Sequence, residues 1–274
     1  MGLEFYKMSG LGNDFILIDN FEGRLKEDPA DLARRLCPRR TSVGADGLVV
    51  LEPDDEVDFR WRFHNSDGSE AEMCGNASRC AARLAVRLGR AGEKLAFRTL
   101  AGIIRAEVSG DRVKVELPRP ERLRRGVSLA LDGASLQADF IVAGVPHAVV
   151  LVEDLEAVDV AGLGAKIRYH AQFAPAGTNA DFISLLGPDR LGLRTYERGV
   201  EGETLACGTG AVASAVLAHL RGLVASPTRV RVRSGEELVI HYAANPEGLD
   251  PWPGAVLMEG QATLVYQAEL SQEV

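Results

Sequence analysis

The sequence predicts an α/β (α+β) fold of two pseudo-symmetric halves, each a curved, barrel-like β-sheet around one central helix. Three observations predict it. A Cys-Gly pair opens a helical stretch twice, in Met73-Cys74-Gly75-Asn76-Ala77-Ser78-Arg79-Cys80 and in Leu205-Ala206-Cys207-Gly208-Thr209-Gly210-Ala211, 133 residues apart (207 − 74). Short β-rich runs fill most of the remaining chain. The second helical stretch is apolar almost all round, and a helix without a polar face must be buried.

Neighbouring residues follow the same displacement. Phe63 falls opposite Tyr196, Glu70 opposite Glu203 and Gly102 opposite Gly235, while Ala45-Asp46 finds a partner in Ala180-Asp181 at a nearly equal offset. A repeat this long is a domain duplication; solenoid periods run roughly 20–50 residues. Pro118-Arg119-Pro120 is the expected linker, so residues 1–118 form the half with the first cysteine and residues 119–261 the half with the second.

In chain order, Phe15 to Asp19, Leu48 to Glu52 and Arg112 to Leu117 read as strands. Val57-Asp58-Phe59-Arg60-Trp61-Arg62-Phe63 alternates strictly, as a half-buried strand does. The second half answers with Ala148 to Val152, Phe182 to Leu186, Leu191 to Tyr196, Arg229 to Arg233 and Leu238 to Tyr242. The first helix runs from Cys74 to Leu88, with Gly89 as its stop; the second runs from Cys207 to Leu220.

Composition narrows the class of function. The 274 residues are 46% hydrophobic with mixed charge, which fits a globular chain. A net charge of −8 with scattered arginines argues against a nucleic-acid or anionic-membrane surface, which needs clustered Lys and Arg. The N-terminus has neither the basic start nor the apolar run of a signal peptide, so a cytoplasmic location is expected.

The four cysteines are Cys37, Cys74, Cys80 and Cys207, and their spacing holds no paired Cys-x-x-Cys knuckle, which argues against a structural metal site. Cys80 lies on the apolar side of its helix with Ala77, Ala81, Leu84 and Leu88, so it and Cys37 read as packing residues. Cys74 and Cys207 differ in opening helices. Unpaired amides and the helix dipole favour a thiolate there and form an anion site. The glycine after each cysteine admits a ligand close to the backbone.

Two such ends sharing one site would hold a carboxylate between two sets of amides, with one sulfur on each side of its α-carbon. That suits racemisation, in which a base removes the α-proton from one face and an acid returns one from the other. No residue pattern demands a cofactor, so none is expected, and the amides must stabilise the carbanion.

The runs Lys7-Met8-Ser9-Gly10-Leu11-Gly12-Asn13-Asp14-Phe15, Asn65-Ser66-Asp67-Gly68-Ser69-Glu70, Met73-Cys74-Gly75-Asn76, Pro146-His147, Gly177-Thr178-Asn179 and Tyr196 to Gly210 together resemble the diaminopimelate epimerase family, in order and over nearly the whole chain. The resemblance implies a cofactor-independent isomerase, interconverting LL- and meso-2,6-diaminopimelate in lysine and peptidoglycan-precursor synthesis. It implies Cys74 and Cys207 as the acid/base pair, with His147 and Glu197 flanking the reacting centre. Asn13, Asn65, Asn179 and Arg198 would bind the substrate, especially its distal end, and Glu197 would line the same site; Gly75, Asn76, Gly208 and Thr209 would hold the reacting carboxylate. It also implies a homodimer, and a last strand (about residues 262–274) returning to the first half.

Each residue has a plainer reading: isolated asparagines serve turns, Glu197-Arg198 could be a solvated pair, and His147 could end a strand. Their place in the ordered motifs favours the functional one. A proline or hydroxyproline racemase of the same superfamily is the alternative, but such enzymes usually carry His after the first Cys-Gly, where Asn76 stands here. A non-catalytic amino-acid-binding protein would not require both thiols. Four positions depart from the family pattern: Ala77-Ser78 in place of Gly-Ala, Val145 where Asn is frequent, and Gly47 where some members carry a substrate-facing glutamine.

Overall fold

A computed structural model describes residues 2–131, 133–242 and 255–271. The chain forms a mixed α/β fold of two compact units. The first takes in the chain up to Glu116 together with residues from Gly260 onward; the second runs from Leu117 to Glu259.

The first unit contains β1 (Glu4–Gly10), β2 (Asn13–Asp19), α1 (Pro29–Leu36), β3 (Gly47–Glu52), β4 (Phe59–Asn65), α2 (Gly75–Arg87), β5 (Lys94–Thr99), β6 (Gly102–Ser109) and β7 (Arg112–Leu117). The second contains β8 (Glu121–Leu131), β9 (Ala134–Ala143), β10 (Val145–Leu151), α3 (Val160–Arg168), β11 (Asn179–Gly187), β12 (Arg190–Glu197), β13 (Gly202–Thr204), α4 (Gly208–Leu220), β14 (Thr228–Arg231), β15 (Glu237–Tyr242) and β16 (Val256–Gln261) up to Glu259. The last strand, β17 (Thr263–Glu269), pairs with β1 in the first unit.

Strand registers repeat between the units. β2 and β3 are parallel with Phe15 aligned to Gly47; β10 and β11 are parallel with His147 aligned to Asn179. Both residues of the pair are displaced by 132 (147 − 15 and 179 − 47). The parallel pairing of β4 with β5 is matched by that of β12 with β14. The helices Gly75–Arg87 and Gly208–Leu220 are displaced by 133 (208 − 75).

Each unit's long helix packs on its own sheet, α2 against β1, β2, β3, β6 and β17, and α4 against β9, β10, β11, β12, β14 and β15. The shorter helix covers the outer face. In the first unit α1 buries Leu32, Ala33 and Leu36 with Ile16, Ile18, Leu48 and Val50. In the second, Val160 and Ile167 of α3 pack with Ala148, Val150, Ala180 and Phe182, the residues displaced by 132 from those four. Strands covered on both faces become continuous apolar runs, as in Phe15-Ile16-Leu17-Ile18.

The sequence gives no strong period for α3, whereas Leu32, Ala33 and Leu36 put the apolar residues of α1 on one face, and both helices carry start signals. Asp28 accepts a hydrogen bond from the Ala30 N–H at 2.7 Å ahead of Pro29, and Asp159 accepts one from the Gly162 N–H at 2.9 Å. The strand expected from Val57 begins at Phe59, because Asp58 instead accepts from the Ala96 N–H at 2.8 Å. Among the described residues no helix is long and apolar enough to cross a membrane.

Candidate active site

In the first unit topology gathers the expected residues at one edge of the sheet. Phe15, Gly47 and Asn65 lie in one row across β2, β3 and β4, and Asn13 pairs with Gly10 at the end of β1. α2 starts at the same edge. Cys74 is its N-cap, with extended backbone (φ −144°, ψ 119°), and Gly75 and Asn76 are its first residues. Their N–H groups have no intrahelical acceptor by geometry, which makes them donors for an anion. Gly10 permits this approach, since a Cβ there would lie 2.8 Å from the Asn76 carbonyl oxygen.

Asn76 is buried and donates through Nδ2 to Asn13 Oδ1 at 2.6 Å; Asn13 Nδ2 donates to Asp46 Oδ2 at 2.9 Å. Asp46 and Asp14 share the Arg39 guanidinium, and Lys7 meets Asp14 at 2.7 Å. Burial raises the Asp14 carboxyl, but hydrogen bonds from Arg39 and Lys7 outweigh it and hold the group below the usual carboxylate range. Asn65 is exposed and separate from this chain: its Nδ2 donates to Ser69 Oγ at 3.0 Å, closing the turn after β4.

In the second unit Cys207 is the N-cap of α4, followed by Gly208 and Thr209. Its Sγ accepts from the Gly210 N–H at 3.4 Å and lies 3.5 Å from Thr209 Oγ1. A Cβ on Gly210 would fall 2.6 Å from Asp181 Oδ1 and 3.2 Å from Cys207 Sγ, so glycine is required for the carboxylate and the sulfur to share this helix end.

Beside it stands a fully buried polar group. His147 Nδ1 pairs with Asp181 Oδ2 at 2.7 Å, and Thr195 Oγ1 donates to Asp181 Oδ1 at 2.7 Å. His147 Nε2 is buried with no hydrogen-bond partner. Asn179 is tied at both ends of its amide: Oδ1 accepts from the Arg198 N–H at 2.8 Å and Nδ2 donates to the Pro146 carbonyl at 2.9 Å. Arg198 donates through Nη1 to the Ala176 carbonyl at 3.2 Å. Burial raises the half-buried Glu197 carboxyl, the negative Asp181 adds to the rise, and the Thr204 hydroxyl and His147 oppose it.

These surroundings correct the sequence expectation of a thiolate at Cys207. Burial pushes its thiol well above the ordinary value, and the carboxylates of Glu197 and Asp181 push in the same direction, outweighing the Thr209 hydroxyl and the Gly210 amide. Cys207 therefore holds its proton more tightly than an ordinary thiol. Cys37 and Cys80 are buried, pushed up to about 11 and about 12 by burial, in keeping with packing roles.

Two repeat pairings also shift. Strand register sets Phe63 against Thr195 and His64 against Tyr196, because the second unit's loop to Glu203 is one residue longer. Asp181 matches Val49, and not Asp46. Glu203 is structural, gripping Arg194 with bonds of 2.7 and 2.9 Å. Sequence reasoning noticed Asp46 and Asp181 only as parts of a repeat and gave no role to Thr195 or Arg79. The roughly 1090 Å³ groove lined by Tyr6, Asp19, Asn20, Arg90 and Glu269 contains none of the expected site residues.

Comparison with known proteins agrees with this geometry. The sequence profile described as diaminopimelate epimerase matches residues 5–123 and 140–265. A diaminopimelate epimerase of Aquifex aeolicus (strain VF5) is 47% identical over 284 aligned residues, covering 99% of both chains. One of Chlorobaculum tepidum is 40% identical, covering 96% of this chain and 100% of that one. Among solved structures, a Bacillus anthracis phenazine biosynthesis protein of the PhzF family has a TM-score of 0.73 at 13% identity, with 99% of both chains covered. A probable proline racemase from Agrobacterium radiobacter K84 has 0.71 at 14%, covering 98% of this chain and 93% of the other; both share the fold. With the profile matched over most of its length and relatives this close along nearly all of it, the chain belongs to the diaminopimelate epimerase family, and it is an isomerase.

Proposed function

We propose that this chain interconverts LL- and meso-2,6-diaminopimelate without a cofactor, in lysine and peptidoglycan-precursor synthesis, with Cys74 and Cys207 as its acid/base pair. The observation that carries the reading is that both units of a duplicated fold begin their long helix on an N-cap cysteine followed by glycine. Helix N-terminal amides of Gly75, Asn76, Gly208 and Thr209 hold the reacting carboxylate and stabilise charge that moves onto it as the α-proton leaves.

In the direction where Cys207 gives the proton, its raised thiol is the acid and Cys74 the base; in the reverse direction the roles exchange. His147, its ring oriented by Asp181, and Glu197, its carboxyl raised by burial, adjust the charge around Cys207. Arg198, whose backbone N–H donates to Asn179 Oδ1 and whose guanidinium donates to the Ala176 carbonyl, takes the distal carboxylate with that guanidinium, while Asn13 and Asn65 complete the substrate contacts.

The protein works in the cytoplasm, whose reducing poise keeps both thiols available. It is a homodimer, a reading supported by the exposed Val265 and Tyr266 side by side on β17. The test is to incubate the purified protein with the LL isomer and separate isomers by chromatography. Appearance of meso product, with L-proline left unchanged, supports the reading; conversion of L-proline instead would assign the proline-type activity.

A further inference from the structure

Arg79 lies in the second turn of α2, is completely buried, and is the largest of the fully buried side chains among the described residues. It donates through Nη1 to the Gly75 carbonyl at 3.2 Å and through Nη2 to Asn76 Oδ1 at 2.7 Å. The chain continues from Asn76 Nδ2 to Asn13 Oδ1 at 2.6 Å, and from Asn13 Nδ2 to Asp46 Oδ2 at 2.9 Å. A guanidinium has donors only and a carboxylate acceptors only. A chain of amides between the two can be satisfied in one direction alone. Reversing either asparagine would set amide against guanidinium or oxygen against carboxylate.

We propose that Arg79 is a positioning residue which, with Asp46 at the other end, fixes the amide orientation of Asn76 and Asn13, leaving each with one N–H to offer an acceptor such as a substrate carboxylate. This rests on the proposed function in taking those two asparagines as substrate contacts. The device belongs to the first unit: the residue displaced by 133 from Arg79 is Val212, and from Asn76 it is Thr209. Burying a guanidinium is costly, and its position at the head of this chain supplies the reason to keep it there.

The test uses the full-length protein and the variants Arg79→Met, Arg79→Lys and Asp46→Asn. Three quantities are read: the melting midpoint, kcat and KM for the LL isomer, and the side-chain amide ¹H–¹⁵N resonances of Asn13 and Asn76. Losing a hydrogen bond to a charged group should raise KM in Arg79→Met roughly tenfold or more. Both amide resonances should shift, and Arg79→Lys, which keeps a donor-only cation, should recover part of both effects. Asp46→Asn, on a partly exposed side chain, should move the resonances and KM with an unchanged melting midpoint.

Unchanged KM and resonances in Asp46→Asn and Arg79→Lys would overturn the proposal, whether or not Arg79→Met folds. If the wild-type protein fails to convert diaminopimelate, the functional reading falls, and the resonance shifts alone decide the positioning role.

Discussion

His147 occupies in the second unit the position that Phe15 holds in the first, each aligned with the corresponding residue of a parallel neighbour strand. The exchange extends to their neighbours: Asp181 stands for Val49 and Thr195 for Phe63, so an edge-on Phe15–Phe63 contact of 6.0 Å is replaced by a hydrogen-bonded polar triad. The frame is common to both units, and the unit carrying Cys207 has polar residues at three positions where the first unit has apolar ones. Asp181→Val alone strands a buried imidazole and should cost about 3–5 kcal/mol in urea unfolding. His147→Phe/Asp181→Val, which copies two of the three first-unit residues, should recover most of that loss; costs that simply add would contradict the equivalence.

Gly47 leaves little room for a glutamine at its position. A Cβ there would lie 2.7 Å from the His64 carbonyl oxygen and 2.7 Å from the Phe63 ring. Gly47→Gln should therefore destabilise by about 1–3 kcal/mol through overpacking, read as a lowered melting midpoint. Gly47→Gln/Phe63→Leu should relieve it, because the ring is the part of the clash that can be removed.

Alkaline pH should weaken the fold through its buried thiols. Burial raises Cys37 to about 11, Cys80 to about 12 and Cys207 well above its ordinary value. The unfolded chain releases these protons near pH 8.5 while the folded one retains them. Their stabilising contribution is full below that value and is lost as pH rises through it toward 11 and 12. The melting midpoint should fall across pH 8.5–11, and Cys80→Ala should flatten the fall. Alkylation of Cys207 should be slow at pH 7 and climb with pH.

The outer helices depend on matching caps. Asp28→Ala and Asp159→Ala should each lower stability by about 1 kcal/mol, since each removes the acceptor for an N-terminal N–H. Chemical unfolding of the two variants and the double variant checks this; the costs should add, the caps belonging to separate units.

Much of the frame was legible in the sequence because its signals are local. Alternation and apolar runs marked β2, β3, β4, β12 and β15, and two Cys-Gly helix starts marked α2 and α4. α3 was hidden by Gly162 and Gly164, which weaken helix propensity; Gly164 is there because a Cβ would sit 2.5 Å from Tyr196 Cβ. The triad His147, Asp181 and Thr195 was illegible because three strands contribute one residue each, and only their register brings the three together. Cys207 shows the same limit: sequence displays the helix end that favours a thiolate, whereas the neighbouring carboxylates that oppose it come from β11 and β12.

The central claim is that two thiols share one proton-exchange reaction. Its most direct test is α-deuterium incorporation from D₂O into LL-diaminopimelate under reducing conditions, with stereochemical readout, for wild type, Cys74→Ala and Cys207→Ala. Wild type should incorporate deuterium as it forms meso product, and each alanine variant should lose epimerisation by a thousandfold or more, on the order of one general acid–base contribution. Epimerisation persisting near the wild-type rate in either variant would contradict the two-thiol account.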